Sequence, residues 1–136
     1  MVFEIENLDD LKRQASLILG ELGKPGVVLF KGEMGAGKTT LIRLLCELLQ
    51  SPSVVSSPTF SLVNEYELPE GHTLFHFDFY RIQSEEEAMD MGVEEYLYSG
   101  NWCFIEWPER IGSLIPEDFK EVRLEVSADK RMVYVD

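Results

Sequence analysis

Val27-Val28-Leu29-Phe30-Lys31-Gly32-Glu33-Met34-Gly35-Ala36-Gly37-Lys38-Thr39-Thr40 decides how the chain is read. The first five residues are rich in β-branched and aromatic side chains and predict a buried strand. Gly32 to Thr39 then satisfies G-x-x-x-x-G-K-[ST] at every fixed position. A loop that wraps an anion with its backbone N–H groups needs glycines, for unusual dihedrals and for close approach. The helix that follows aims the positive end of its dipole at the same point. Met34, Gly35, Ala36, Gly37, Lys38, Thr39 and Thr40 are therefore the expected phosphate-binding residues. Lys38 is expected to reach the β- and γ-phosphates, the Thr39 hydroxyl to ligate Mg²⁺, and Thr40 to add a contact on the α-phosphate side.

Before this stretch, Asn7 is placed to cap a helix with Leu8, Leu11, Ala15, Ile18 and Leu22 on one stripe, and Gly23, Pro25 and Gly26 end it. After it, residues 38–50 predict a helix with apolar residues round most of its surface. Further on, Phe60, Leu62, Asn64 and Tyr66 share one face of an extended run. After Pro69-Glu70-Gly71, residues 73–80 place Phe75, Phe77 and Phe79 on one face, a core face, and Leu74, His76 and Asp78 on the other. The two runs read as an antiparallel hairpin. A short acidic helix after Ser84 and another turn or two after Gly92 lead to a second buried strand, residues 102–105. The tail predicts a hairpin around Ala128-Asp129-Lys130. Together these elements predict one domain over residues 1–136. Its fold class is α/β: a P-loop NTPase-like three-layer fold with a mixed sheet, parallel at the centre and extended by antiparallel hairpins.

A P-loop needs an acid at the end of a neighbouring strand, to hold Mg²⁺ or orient water. Two carboxylates qualify, Glu106 after Trp102-Cys103-Phe104-Ile105 and Asp78 late in the Leu74 run. Ser56-Ser57-Pro58-Thr59 stands where a switch segment would, and Thr59 can sense a γ-phosphate through Mg²⁺ or water. Trp107, between Glu106 and Pro108, reads either as a packing residue or as a cover for the γ-phosphate region. His76 reads as a packed, hydrogen-bonded histidine.

Charge narrows the partners. The formal net charge is −13, and residues 65–95 hold ten acids against Arg81 alone. Such a surface repels nucleic acid. It is either a solvated face or a dock for a basic protein. No segment is apolar for long enough to span a membrane, and Met1 to Asp10 lacks the pattern of a secretion signal. Cys46 and Cys103 read as buried thiols of a reducing compartment, which predicts a cytoplasmic protein. A small-molecule kinase of this fold needs an Arg/Lys-bearing lid, and residues 51–119 offer only Arg81 and Arg110. A nucleotide-gated binding module without turnover is the other alternative.

Five motifs taken together resemble the bacterial TsaE (YjeE) ATPases of tRNA threonylcarbamoyladenosine (t6A) synthesis. They are the loop 32–41, Ser57-Pro58-Thr59-Phe60-Ser61-Leu62-Val63, His76-Phe77-Asp78-Phe79-Tyr80-Arg81, Met91-Gly92-Val93-Glu94-Glu95-Tyr96 and Ile105-Glu106-Trp107-Pro108-Glu109. The resemblance implies ATP and Mg²⁺ as cofactors and ATP hydrolysis, weak alone and stimulated by partners. It implies TsaD and TsaB as those partners, which install the threonylcarbamoyl group on adenosine 37 of tRNAs reading codons that begin with A. Contact with tRNA would be indirect, through the complex, with no role for DNA. By the same resemblance Lys38 and Thr39 match the phosphate and Mg²⁺ residues, Glu106 the Mg²⁺-side acid, Thr59 the switch threonine and Asp78 the catalytic acid. Trp107 matches a tryptophan beside that acid, and Arg131 an arginine that contacts nucleotide.

Overall fold

The computed structural model describes residues 1–49 and 62–136. Seven strands form one sheet in the order β1-β7-β6-β2-β5-β4-β3. These are β1 (Val2–Ile5), β2 (Val27–Lys31), β3 (Val63–Glu67), β4 (Thr73–Asp78), β5 (Trp102–Glu106), β6 (Phe119–Ser127) and β7 (Lys130–Val135). The centre, β6-β2-β5-β4, is parallel, and β3 and the pair β7–β1 add antiparallel edges. The expected mixed sheet is present. The tail hairpin departs from its description as a pure addition: its inner strand β6 runs parallel to β2 and so belongs to the centre.

The alternation of side chains along the strands builds three layers. Val28 and Phe30 of β2, Trp102 and Phe104 of β5, and Leu74 of β4 face one core, with helices α1 (Leu8–Leu22) and α2 (Lys38–Leu48). Val27, Leu29, Cys103, Ile105, Phe75 and Phe77 face the other. There α3 (Glu85–Asp90), α4 (Val93–Leu97) and a 3₁₀ segment, Pro108–Leu114, supply Ala88, Val93, Leu97 and Ile111. Phe79 also lies in that second core, as expected of the aromatic run.

Helix α1 begins as its sequence dictates. The Asn7 side chain accepts a 2.8 Å bond from the Asp10 N–H, and Gly23 closes the helix at φ 77°. Leu11, Ala15, Ile18 and Leu22 are buried, but Leu8 is 52% exposed. It is the first residue of the helix, where the stripe has not yet reached the core. The segment ahead of the helix, to which the sequence assigned no element, forms a strand. β1 pairs with β7, and Phe3 and Ile5 point inward while Glu4 points out.

Candidate functional site

The last residue of β2 delivers the chain into the glycine loop, and each glycine there has its own task. Gly35 and Gly37 sit at φ 83° and 103°, a region that side chains avoid. Gly37 is also the residue from which α2 starts. Gly32 has a packing reason as well: a Cβ there would lie 2.8 Å from the Leu124 carbonyl oxygen of β6. The loop thus rests directly on the backbone of the tail hairpin. Ala36 is buried, its N–H bonds the Glu33 carbonyl at 3.0 Å, and its own carbonyl accepts a 3.2 Å bond from the Arg131 Nε on β7. Met34 stands 65% exposed at the loop's crest.

Period-two alternation puts His76, Asp78 and Glu106 on the face of the sheet that α2 covers. The parallel register of β4 and β5 sets Asp78 opposite Glu106. Glu106 is 4% exposed and divided between two partners. Its Oε2 lies 2.7 Å from His76 Nε2, and its Oε1 lies 3.3 Å from the Thr39 hydroxyl. Asp78 Oδ1 accepts a 3.0 Å bond from the Tyr80 N–H. Burial raises the Asp78 carboxyl above the ordinary carboxylate range. That Tyr80 bond pulls it down, Glu106 pushes it further up, and His76 and Lys38 work against the rise.

Lys38 is 5% exposed. Its ammonium donates to the Gly32 carbonyl at 2.7 Å and sits 3.9 Å from the centroid of the Trp107 ring. Burial lowers its pKa, and Glu106, Glu109 and Asp78 partly restore it. The Trp107 ring also meets that of Tyr80, with centroids 5.0 Å apart. To aim this ring, Trp107 takes a left-handed backbone (φ 58°), an uncommon and strained setting for a bulky residue.

Met34, Gly35, Gly37, Lys38, Thr39, Thr40, Asp78, Tyr80, Glu106 and Trp107 line one cavity of about 330 Å³. Two more cavities flank the loop. The first, of about 230 Å³, shares Ala36, Gly37 and Thr40 with the loop and includes Ile5, Asn7, Leu8, Leu11 and Arg131. The second, of about 710 Å³, lies on the Gly32 side over Arg123 to Val126. The amide-lined loop and both acids converge on the 330 Å³ cavity, which sets donors for an anion beside oxygen ligands for a cation. Its donor set suits Mg²⁺, a hard ion that takes oxygen ligands at 2.0–2.1 Å in octahedral geometry. Two adjacent ligands would then lie about 2.9 Å apart, and Thr39 Oγ1 and Glu106 Oε1 stand at 3.3 Å. Among the described residues no group of three His, Cys, Asp or Glu forms a metal cage.

Of the predicted site residues that the structure describes, all but Ala36 and Arg131 line the 330 Å³ cavity, and those two line the 230 Å³ cavity instead. Thr59 lies outside the described residues. The partnership of His76 with Glu106 was not read from the sequence, although the alternation that puts His76 on the Asp78 face was its signal. Tyr80 was missed because nothing in a lone tyrosine after a strand points at a loop far off in sequence.

A parallel strand, a glycine loop and a helix, with strand-end acids facing the helix start, define a P-loop nucleotide-binding protein. The family described as threonylcarbamoyl adenosine biosynthesis protein TsaE matches residues 5–133, and the chain belongs to that family. Similar proteins each named tRNA threonylcarbamoyladenosine biosynthesis protein TsaE occur in several bacteria. The one from Haemophilus influenzae is 36% identical over 107 residues, 79% of this chain and 67% of that protein. Those of Treponema pallidum (39% over 114 residues, 82% of each chain) and Bacillus subtilis (35% over 127 residues, 90% and 76%) agree. The crystal structure of YdiB from Bacillus subtilis superposes with a TM-score of 0.73 at 26% identity, covering 98% of this chain and 82% of that one.

Proposed function

We propose that the chain binds ATP with Mg²⁺ in the 330 Å³ cavity, hydrolyses it, and thereby serves threonylcarbamoylation of adenosine 37 in tRNAs reading codons that begin with A, acting with TsaB and TsaD. The observation that carries this reading is the convergence of Thr39 and the strand-end pair Asp78 and Glu106 on one glycine loop. Family membership supports the pathway. A bound Mg²⁺ would supply neutralisation of the phosphate charge. Thr39 Oγ1 and Glu106 Oε1 would hold it, while Lys38 exchanges its Gly32 carbonyl for phosphate oxygens, a stronger, charge-assisted partnership. Asp78, its pKa raised by burial and its carboxylate lining the cavity beside Thr39 and Glu106, is suited to accept a proton from the attacking water. Trp107 holds the Lys38 ammonium from the side and screens the cavity from solvent. The switch role goes to Thr59 on its sequence motif alone.

With Glu106 and Thr39 on the cation side, the nucleoside would leave the loop on the Thr40 side, where the two cavities meet. The 230 Å³ cavity opens there, with Ile5, Leu8 and Leu11 as apolar walls and Arg131 as a cationic rim. Leu8, left exposed by α1, then has a partner in the base. The protein acts in the cytoplasm; no described helix is long and apolar enough to cross a membrane. Its acidic surface meets a protein, and tRNA is reached through the complex.

Phosphate release measured with no added acceptor, with and without TsaB and TsaD, tests this reading. Turnover that rises with the partners and falls about 10²- to 10⁴-fold in Asp78→Ala, the range for losing a general base, supports it. Asp78→Ala and Glu106→Ala turning over at the parental rate overturn it.

A further inference from the structure

His76 is the one histidine in the core, fully buried at the centre of β4. Its Nε2 lies 2.7 Å from Glu106 Oε2, and its Nδ1 is buried with no hydrogen-bond partner among the described residues. A carboxylate only accepts, so Nε2 carries the hydrogen, and the ring's whole polar capacity goes to this single bond. A leucine here would continue the Leu74 face and remove the orphaned nitrogen, but it would strip the buried Glu106 Oε2 of its donor, so the histidine is tied to the carboxylate it serves. The bond also selects between the two oxygens of Glu106. Oε2 is occupied from behind by the imidazole, and Oε1 is turned toward Thr39 at 3.3 Å, too long for a strong O–H···O bond. The oxygen that faces the loop is therefore held only loosely by protein, while its carboxylate is fixed by the ring.

We propose that His76 is a positioning residue, which clamps the Glu106 carboxylate so that one chosen oxygen meets the nucleotide-bound cation. The proposal rests on the reading of Thr39 and Glu106 as the cation side of the site. Outer partners of this kind orient ligands, and their loss typically weakens metal binding about 10- to 100-fold. His76→Leu removes the donor. His76→Gln keeps an amide N–H at nearly the reach of Nε2, and His76→Asn has one that falls short of Glu106.

ADP is titrated calorimetrically into the full chain, in EDTA and across a series of Mg²⁺ concentrations, with a thermal melt of each variant. His76→Leu, or His76→Asn should the leucine variant not fold, is expected to keep the parental affinity in EDTA. Its half-saturating Mg²⁺ concentration rises about 10- to 100-fold, and His76→Gln recovers most of that loss. An unchanged Mg²⁺ dependence in a folded non-donor variant overturns the proposal. So does an equal loss in EDTA and in Mg²⁺ shared by the glutamine variant, since that marks general damage. A parental chain that binds ADP equally with and without Mg²⁺ contradicts the underlying cation site itself, a result separate from the variant comparison.

Discussion

Asp78 is a carboxylate placed where the fold would prefer none. It is half-buried on the α2 face, opposite a second acid, and its pKa is raised mainly by loss of solvent. The sign of its linkage follows. A carboxylic acid whose folded pKa exceeds its unfolded value stabilises the fold increasingly as pH falls, and weakens it at neutral pH. Asp78→Asn keeps the oxygen that accepts from the Tyr80 N–H and removes the charge. The variant is expected to melt a few degrees higher than the parent at pH 7, with the gap closing toward pH 4, while partner-stimulated turnover drops. A lower melting temperature at pH 7 would mean that Asp78 is stabilising and that its setting is misjudged. A left-handed Trp107 and an orphaned His76 nitrogen beside it tell the same story of local strain gathered at one site.

At the scale of elements, two junctions hold the site in place. One is the start of α1. Asp10, buried at 8% exposure, accepts from the Glu6 N–H at 3.0 Å, from Gln14 at 2.9 Å and from Arg13 at 2.7 Å. The bond from Glu6 and then that from Gln14 hold its pKa below the ordinary value, with Arg13 adding to them and burial opposing. A depressed carboxylate contributes stability that is present above its unfolded pKa and lost as pH falls through the folded one. Asp10→Asn is therefore expected to destabilise the chain at pH 7 and to differ less from it at about pH 3, the gap closing only as pH falls through the depressed folded pKa. Urea melts at the two pH values check this, and a constant gap contradicts it. The other junction is Gly32 against Leu124. Gly32→Ala forces a Cβ to 2.8 Å from a backbone oxygen that cannot swing away. It is expected to cost about 1–3 kcal/mol in chemical denaturation, the usual range for overpacking, and to weaken nucleotide binding by lifting the loop from β6. A variant as stable as the parent would show that the loop is free of the tail hairpin.

For the molecule as a whole, what was legible in the sequence was what is local. The strand-loop-helix unit, the Asn7 cap, the β3–β4 hairpin and the inward phenylalanines each follow from neighbours a few residues apart, and the structure has them all. The candidate site was legible for the same reason, because loop and strand-end acids carry their chemistry in short motifs. Strand partners were less so. β1 spans four residues with glutamates beside it, too little apolar signal to outweigh the helix that follows. That β6 would lie parallel to β2 depends on pairing across most of the chain, which no local pattern records. The contact from Arg131 to the Ala36 carbonyl comes from that same long-range pairing. The formal charge of −13 says only what the surface repels, and the choice of a protein partner comes from family membership.

In the proposed function the loop from Gly32 to Thr39 grips a Mg²⁺-bound polyphosphate, with Lys38 closing over it. The decisive experiment is calorimetric titration of Mg²⁺–ATP into the folded chain, alone and assembled with TsaB and TsaD, against Lys38→Ala under the same conditions. Saturable one-to-one binding by the parent is expected, and its loss in a Lys38→Ala variant that still melts cooperatively. No binding by the parent in either setting, or parental affinity in the variant, overturns the proposal.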